Sequence, residues 1–335
     1  MTRFHYLRPS TLEVAVATLQ EAGARATLLA GGTDLLVRMR SGRVRPAVVV
    51  DLKRIDGLDA GVKRLDGMLR VGARCTMTEL IADDQVRQHF PALVEAARVV
   101  GSVQIRNRAT LAGNICNASP AADTAPPLLA CGAIVNTSGV AGERRVPLHQ
   151  FFTGPGKTVL GRGEIVTSID LPLPAGPIGA AFLRLTRRRG VDLATLTVCC
   201  AISSSGEVRV ALGAVAPTPL LVIDGELPPK GGSHERDHSG ELPPEGGSQE
   251  PAATVWLPPL GGRTSERHSL RDPEYLKLLV ARIAGHASPI SDVRAGADYR
   301  SAMLPVFITR ALELALKRLD ENERWNPTGS QSPSR

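Results

Sequence analysis

Aromatic residues are scarce in this chain of 335. They make up 3 %, and its tryptophans are Trp256 and Trp325. That argues against stacking platforms for single-stranded nucleic acid. Cysteine is equally sparse: Cys75, Cys116, Cys131, Cys199 and Cys200 are odd in number and form no C-x-x-C. The count argues against a disulfide framework, and the spacing offers no zinc or iron–sulfur ligand set. All five read as small buried hydrophobes. No apolar run approaches a membrane span. Met1 to Ser10 carries Arg3, His5 and Arg8 and lacks the apolar core of a secretory signal. No catalytic triad or metal constellation is visible. A soluble, cytoplasmic protein is expected.

Positive charge is in excess, at +7. Such a balance suits nucleic acid, an anionic cofactor or an acidic partner. The arginines are dispersed, apart from Arg187-Arg188-Arg189 and a looser group at Arg38, Arg40, Arg43 and Arg45. No helix-turn-helix or zinc-finger spacing accompanies them, so nucleic acid is set aside. Apolar residues at 43 % allow a sizeable core, and the length suits two or three domains.

Ser10-Thr11-Leu12-Glu13 reads as a capping box with Ser10 as cap, ahead of a helix striped by Leu12, Val16 and Leu19 and stopped at Gly23. Ala26 to Ala30 and Val48 to Val50 read as strands, paired in parallel through a crossover. Leu69 to Gly72, Ile134-Val135, Arg145-Val146 and Ile165 to Leu171 read as further strands, and Pro91 to Val100 as a helix. Pro172, Pro174 and Pro177 mark a linker and a domain boundary. Three strands follow, at Ala181 to Leu185, Leu196 to Ile202 and Val208 to Val215. Leu227-Pro228-Pro229-Lys230-Gly231-Gly232 then recurs at Leu242 and at Leu257 with a period of 15. Pro-Pro followed by Gly-Gly sustains neither helix nor central strand, so Glu226 to Arg271 is expected to be a disordered low-complexity insert. A polyproline ligand for a partner is the other reading. Helices are expected around Tyr275 to Ile283 and over Tyr299 to Leu319, with a frayed tail at 325–335.

Two segments carry chemistry. In Leu28-Leu29-Ala30-Gly31-Gly32-Thr33-Asp34-Leu35, paired glycines directly follow a strand. Their unhindered amides can form an anion nest, and Thr33 adds a donor; together they suit a pyrophosphate. An ordinary strand-end turn has the same signature. The second, Thr110-Leu111-Ala112-Gly113-Asn114-Ile115-Cys116-Asn117-Ala118-Ser119-Pro120-Ala121-Ala122-Asp123, sets polar groups among strand-like apolar ones. Its amides suit flavin ring edges and ribityl hydroxyls, and Asp123 can accept from a hydroxyl. The alternative is a surface turn with Asx caps. Gly154-Pro155-Gly156-Lys157-Thr158 fails the phosphate-loop pattern because Phe151 stands where its first glycine belongs. The strict dinucleotide fingerprint is absent as well.

These two segments, about eighty residues apart, resemble the two flavin motifs of the FAD-binding subunits of molybdenum hydroxylases, of the xanthine dehydrogenase and aerobic carbon monoxide dehydrogenase type. Arg106-Asn107, Glu164-Ile165-Val166, Asp192-Leu193-Ala194 and Ser288 to Arg294 extend the resemblance along nearly the whole chain. Ala112 departs from it, standing where glycine is usual. Arg184 stands where lysine is often found, and the repeat insert has no counterpart. The resemblance implies an α+β fold: a flavin-binding part of the vanillyl alcohol oxidase type over 1–175, in subdomains 1–55 and 56–175. A smaller C-terminal domain with an antiparallel sheet and helices would cover 176–225 and 272–324.

It also implies roles. Leu29 to Leu35 would wrap the diphosphate and ribityl region, with Leu28 before them. Thr110, Leu111, Ala112, Gly113 and Asn114 would line the diphosphate and flavin face. Asp123 would hold a cofactor hydroxyl, Val166 would touch the cofactor through its backbone, and Arg184 would lie near the ring unless it is a solvated strand charge. One FAD, held non-covalently, would do the chemistry, with no catalytic side chain and no metal in this chain. The implied partners are a molybdenum-cofactor large subunit and a small [2Fe-2S] subunit, as a dimer of heterotrimers. Electrons would pass from the clusters to the FAD and on to an external acceptor. A stand-alone flavin oxidase of the same fold would need a base, and neither motif offers a His or Tyr. A non-catalytic scaffold that uses the repeats is the rival from another class.

Overall fold

A computed structural model describes residues 3–224, 254–257 and 269–324. The chain opens with β1 (His5–Leu7), α1 (Leu12–Ala22), β2 (Ala26–Leu29), α2 (Leu35–Arg40) and β3 (Val48–Asp51). Ala15, Val16 and Leu19 form the buried stripe of α1. Its cap is Thr11 rather than Ser10: Thr11 is extended and its Oγ1 accepts from the Val14 amide at 3.4 Å. Adjacent hydroxyls are equivalent in sequence, and the backbone decides between them. The three strands form a parallel sheet ordered β1-β3-β2. The expected parallel pair is therefore present, joined by β1, whose exposed three residues carry no apolar pattern. Leu29 pairs with Asp51, which places Gly31-Gly32 just beyond the carboxyl end of β2.

The next stretch holds β4 (Val62–Leu65) and β5 (Met68–Gly72), then α3 (Met77–Ala82), α4 (Asp84–His89), α5 (Pro91–Arg98), α6 (Val103–Arg106), α7 (Leu111–Cys116) and α8 (Ala125–Ala130). It continues with β6 (Ile134–Gly139), β7 (Gly142–Pro147), the small hairpin β8 (Phe152–Gly154) and β9 (Lys157–Thr158), and β10 (Ile165–Pro172). An antiparallel sheet of order β4-β5-β10-β6-β7 results. Leu69, Val71, Val135, Val146, Ile169 and Leu171 bury one face. On the other, Arg70 grips the fully buried Asp170 through two bonds of 2.7 and 2.9 Å. The surroundings of the second motif are helical, where strands were expected. Thr110 is extended and its hydroxyl takes the Gly113 amide at 3.0 Å, starting α7.

The last part comprises β11 (Ile178–Leu185), β12 (Leu196–Ser203), β13 (Val208–Gly213), β14 (Leu220–Asp224), β15 (Thr254–Leu257), α9 (Pro273–Ala284) and α10 (Ala297–Arg324). The sheet runs β11-β12-β13-β14-β15. Both of its faces are covered. Phe182, Cys199, Ala201, Ala211, Leu221 and Ile223 join the core of the preceding part, while Val198, Cys200, Ile202, Val210, Leu212 and Val222 pack with α9 and α10. That explains the unbroken apolar run of β12, in which successive side chains alternate between two buried faces. Cys199 and Cys200 therefore point to opposite faces, and all five cysteines are free.

One expectation is corrected here. Thr254–Leu257, inside the segment read as a disordered insert, pairs in parallel with β14, so the sheet is mixed rather than antiparallel. An edge strand held by backbone bonds needs no apolar alternation, which hid it among Pro-Pro repeats. The rest of that segment, apart from 269–271, lies outside the described residues, as does the tail at 325–335. The helix expected from Tyr299 to Leu319 begins at Ala297 and ends at Arg324, with Pro305 inside it. In α9, Leu279, Val280 and Ile283 are buried, while Leu278 is 56 % exposed. The protein is of the α+β class.

Candidate functional site

A cleft of about 1080 Å³ lies where the three-stranded sheet meets the β4-β5-β10-β6-β7 sheet. Both sequence motifs open onto it. Its wall takes Leu28, Ala30, Gly31, Gly32, Thr33, Asp34 and Leu35 from one side, and Thr110, Ala112, Gly113, Asn114 and Asp123 from the other; Val166 lines it from β10. Three anticipated residues do not line it. Leu111 is fully buried core, Leu29 faces Gly32 from behind, and Arg184 stands one layer back.

The glycine loop is shaped by close packing. A Cβ on Gly31 would lie 2.0 Å from the carbonyl oxygen of Arg108, so the first motif rests directly on the backbone leading into the second. Gly32 has φ +77, the left-handed region that glycine tolerates, and a Cβ there would meet Leu29 Cδ1 at 2.8 Å. Beyond it, Leu36 donates to Gly32 O and Arg38 to Asp34 O, each at 3.0 Å. Of the first-turn amides of α2, that of Leu36 is thus taken by Gly32 O, and Asp34 makes no side-chain cap bond. A glycine loop whose backbone borders a cleft suits an anion.

In the second motif the polar groups are partly spoken for. Thr110 caps α7, Asn114 Oδ1 accepts from Thr124 Oγ1 at 2.7 Å, and Ser119 Oγ accepts from the Ala121 amide at 3.3 Å. Ala118 holds φ +46, a strained setting for a residue with a Cβ. Asp123 is different. Its Oδ1 lies 2.8 Å from Arg184 Nε with both side chains 10 % exposed, yet both atoms lack an aligned hydrogen-bond partner. Burial pushes the Asp123 carboxyl up to about 6, against the pull of Arg184. Arg184 also donates to Asp192 O.

Several lining residues lay outside the sequence expectations. Arg162, Gly163 and Glu164 form one flank. Burial pushes the Glu164 carboxyl up, but Arg144 at 2.5 and 2.8 Å, Thr137 and the Gly161 amide together hold it below its usual range. Gly101 and Ile105 of the α5–α6 region, and Arg188, Val191, Asp192 and Leu193 of the β11–β12 loop, complete the wall. Cys116 lines it too; burial pushes that thiol up to about 12, so it stays protonated rather than nucleophilic. The one available signal for the loop was Asp192-Leu193-Ala194; Gly101 and Ile105 carried none.

The residues present fit an FAD. The cleft offers the glycine loop of the first motif, the cations Arg38, Arg162 and Arg188, an apolar floor, and at one end a buried carboxylate and guanidinium with unmet bonding capacity. No cluster of metal-ligating side chains occurs among the described residues, and no helix among them is long and apolar enough to cross a membrane.

Comparison with known proteins agrees. Residues 2–174 match the family described as the FAD binding domain in molybdopterin dehydrogenase. The xanthine dehydrogenase FAD-binding subunit of Escherichia coli O157:H7 is 37 % identical over 220 residues, 64 % of this chain and 75 % of that one. The carbon monoxide dehydrogenase medium chain of Hydrogenophaga pseudoflava is 30 % identical over 324 residues, 94 % of this chain and 98 % of that one. A solved structure of carbon monoxide dehydrogenase from the same organism superposes with a TM-score of 0.77 at 29 % identity, covering 95 % of this chain and 98 % of its own. The chain belongs to the FAD-binding subunit family of the molybdenum hydroxylases, and FAD is its cofactor.

Proposed function

We propose that the cleft is the FAD site and that this chain is the electron-transfer subunit of a molybdenum hydroxylase complex. It would take electrons from a partner's iron–sulfur clusters and deliver them to an external acceptor. The observation that carries the reading is the meeting of both glycine-bearing motifs on one cleft, through the contact of Gly31 with Arg108. When bound, FAD supplies the redox chemistry, accepting and releasing electrons. The chain's residues supply position and field. The Gly31–Gly32 loop, with Thr33 and the Thr110–Gly113 turn, would hold the diphosphate. Val166 and the Arg162–Glu164 flank close over the nucleotide. Asp123 would accept from a polar group of the cofactor, and Arg184, one layer back, would add positive charge through its pairing with Asp123.

The name of the Hydrogenophaga relative, a medium chain, supports an assembly with a molybdenum-bearing large subunit and an iron–sulfur small subunit, and a dimer of such heterotrimers fits that reading. The division at 175/176 belongs to the same proposal, with β10 ending at Pro172 and β11 starting at Ile178. The purified chain is tested by acid precipitation and by reduction. One FAD per chain should pass to the supernatant, and the flavin should bleach with a hydroxylase substrate only after partner subunits are added. Bleaching by substrate with the chain alone would favour a stand-alone oxidase.

A further inference from the structure

Arg300, in the first turn of α10, is 1 % exposed, one of the largest fully buried side chains among the described residues. A buried guanidinium needs partners for its charge. Arg300 donates through Nη1 to Ile290 O at 2.6 Å and through Nη2 to Asp292 Oδ1 at 2.7 Å, while its buried Nε is without a partner. Asp292 in turn receives the Arg294 amide at 2.8 Å and Arg294 Nε at 2.9 Å. The segment is tied at both ends, by the Ser288 amide on Val215 O at 2.8 Å and the Ala297 amide on Ser291 Oγ at 2.9 Å. The connection between α9 and α10 is thus a stiff loop although its Ile290 and Val293 face solvent.

Two bonds leave it for the β11–β12 loop. Arg294 Nη1 donates to Ala194 O at 3.2 Å, and Arg187 Nη1 donates to Val293 O at 3.1 Å. Arg187 also holds Asp192 at 2.8 Å. The receiving loop has little apolar anchorage of its own, since Val191 is 54 % and Leu193 62 % exposed. Its base is closed by the Thr195 amide on Leu185 O at 2.8 Å. Yet Val191, Asp192 and Leu193 line one end of the cleft, the end where Arg184 joins Asp123 to the carbonyl of Asp192.

We infer that Arg300, Asp292 and Arg294 are positioning residues for the mouth of the FAD cleft: they make the α9–α10 loop a strut that holds the β11–β12 loop in place. The inference rests on the reading of the cleft as the FAD site. The strut touches no cofactor. It acts by fixing the carbonyl of Ala194 through Arg294 and, through Val293 O, the Arg187 that holds the Asp192 carboxylate.

The test uses the full chain carrying FAD, with Arg294→Ala and Arg294→Lys, and Asp292→Asn as an independent break. Three quantities are read: hydrogen exchange by mass spectrometry, the dissociation rate of FAD, and the visible circular dichroism of the bound flavin. Arg294→Ala should raise exchange over 186–195 by about tenfold, the factor expected for losing one hydrogen bond from a charged donor. Exchange in α7 and β12 should stay as in the wild type. FAD release should accelerate by a similar factor and the dichroism should change. Arg294→Lys, which retains a donor, should fall between. Unchanged exchange over 186–195 in both Arg294→Ala and Asp292→Asn overturns the strut. So does a rise shared equally by α7 and β12, which would mark a purely structural role. Faster exchange with unaltered FAD release and dichroism overturns the link to the mouth. A wild-type chain that holds no FAD would sink the site reading instead, while the exchange measurement still decides whether the strut exists.

Discussion

Arg184 Nε and Asp123 Oδ1 lie 2.8 Å apart at the end of the cleft, and neither is aligned for a hydrogen bond with the other. The pair is an ion pair with bonding capacity to spare, which leaves the carboxylate able to accept from a cofactor. It also leaves burial as the dominant influence on Asp123, raising it from 3.8 to about 6. In the FAD-free fold the group keeps its proton to a higher pH than in the unfolded chain. Its contribution to stability is therefore full below 3.8 and lost as the pH rises through about 6.

Binding carries the opposite sign. A cofactor that donates to Asp123 favours the carboxylate, so FAD affinity should grow as the pH rises from about 5 to about 7, on either side of the raised value near 6. Fluorescence titration of the FAD-free chain across that range measures it. Asp123→Asn should bind more weakly and with a flat profile. A wild-type profile that is flat too would remove Asp123 from the site.

The two glycines of the first motif should fail for different reasons. Gly31→Ala drives a methyl into Arg108 O, at 2.0 Å, where only backbone movement can relieve it. The chain should lose on the order of 3 kcal/mol of stability along with its FAD. Gly32→Ala meets the end of a leucine side chain and the strain of a left-handed backbone, about 1–2 kcal/mol. It should stay folded while holding FAD more weakly. Denaturant titration with flavin absorbance separates the two, and equal stability losses would contradict the packing described.

How far the sequence revealed the site follows from these contacts. The glycine pair directly after an apolar run marked a loop at the end of a parallel strand, a signature shared with ordinary strand-end turns. It was the second motif, about eighty residues on, that turned it toward a flavin. The helix at Leu111–Cys116 was not legible, because Gly113 and Asn114 are poor helix formers and its start depends on the Thr110 cap and on the backbone packed against Gly31. Arg162, Arg188 and Leu193 reach the cleft from elements far along the chain, and the loop that carries Asp192 is bonded to another loop through Arg187 on Val293 O. Nothing local encodes that. The parallel sheet and the doubly covered β12 were readable as apolar runs, whereas β1 and β15 pair through backbone at edges and carry no pattern.

Because β15 completes the third sheet, removing Glu226 to Arg271 as one block should harm the protein. Leu257 is 5 % exposed and packs in the core shared with α9 and α10, and Trp256 packs against the other core. Leu257→Ala should cost about 2 kcal/mol, toward the low end for a buried leucine because the strand is at an edge. A deletion that takes 254–257 with it should cost more than one that ends at 253. Thermal melts of the two deletions would show equal midpoints if the strand were dispensable.

Glu95 should prove the residue on which the two halves of the chain most depend. It stands on α5, in the part that bears the cleft. Its Oε1 lies 2.5 Å from Arg318 Nη2 on α10, and its Oε2 accepts from the Phe182 amide of β11 at 3.1 Å and from Arg318 Nη1 at 3.2 Å. Arg318 also donates to Ala180 O at 2.6 Å, so one carboxylate and one guanidinium stitch a helix, a strand and a second helix together. Nearby, Gly179 lets the α10 backbone approach β11 so closely that a Cβ would lie 1.9 Å from Ala315 O. Both side chains remain about three-tenths exposed, so the Coulombic gain alone is modest. The larger loss on truncation comes from the orphaned Phe182 amide and a half-satisfied Arg318. Glu95→Ala should therefore cost roughly 2–3 kcal/mol, and Glu95→Gln, which keeps an acceptor for the amide, should cost less. The loss should appear as a lower melting midpoint with the flavin still bound below the transition. Equal midpoints for Glu95→Ala and Glu95→Gln would show that the Phe182 amide contributes nothing, and a wild-type midpoint in both would remove the clasp altogether.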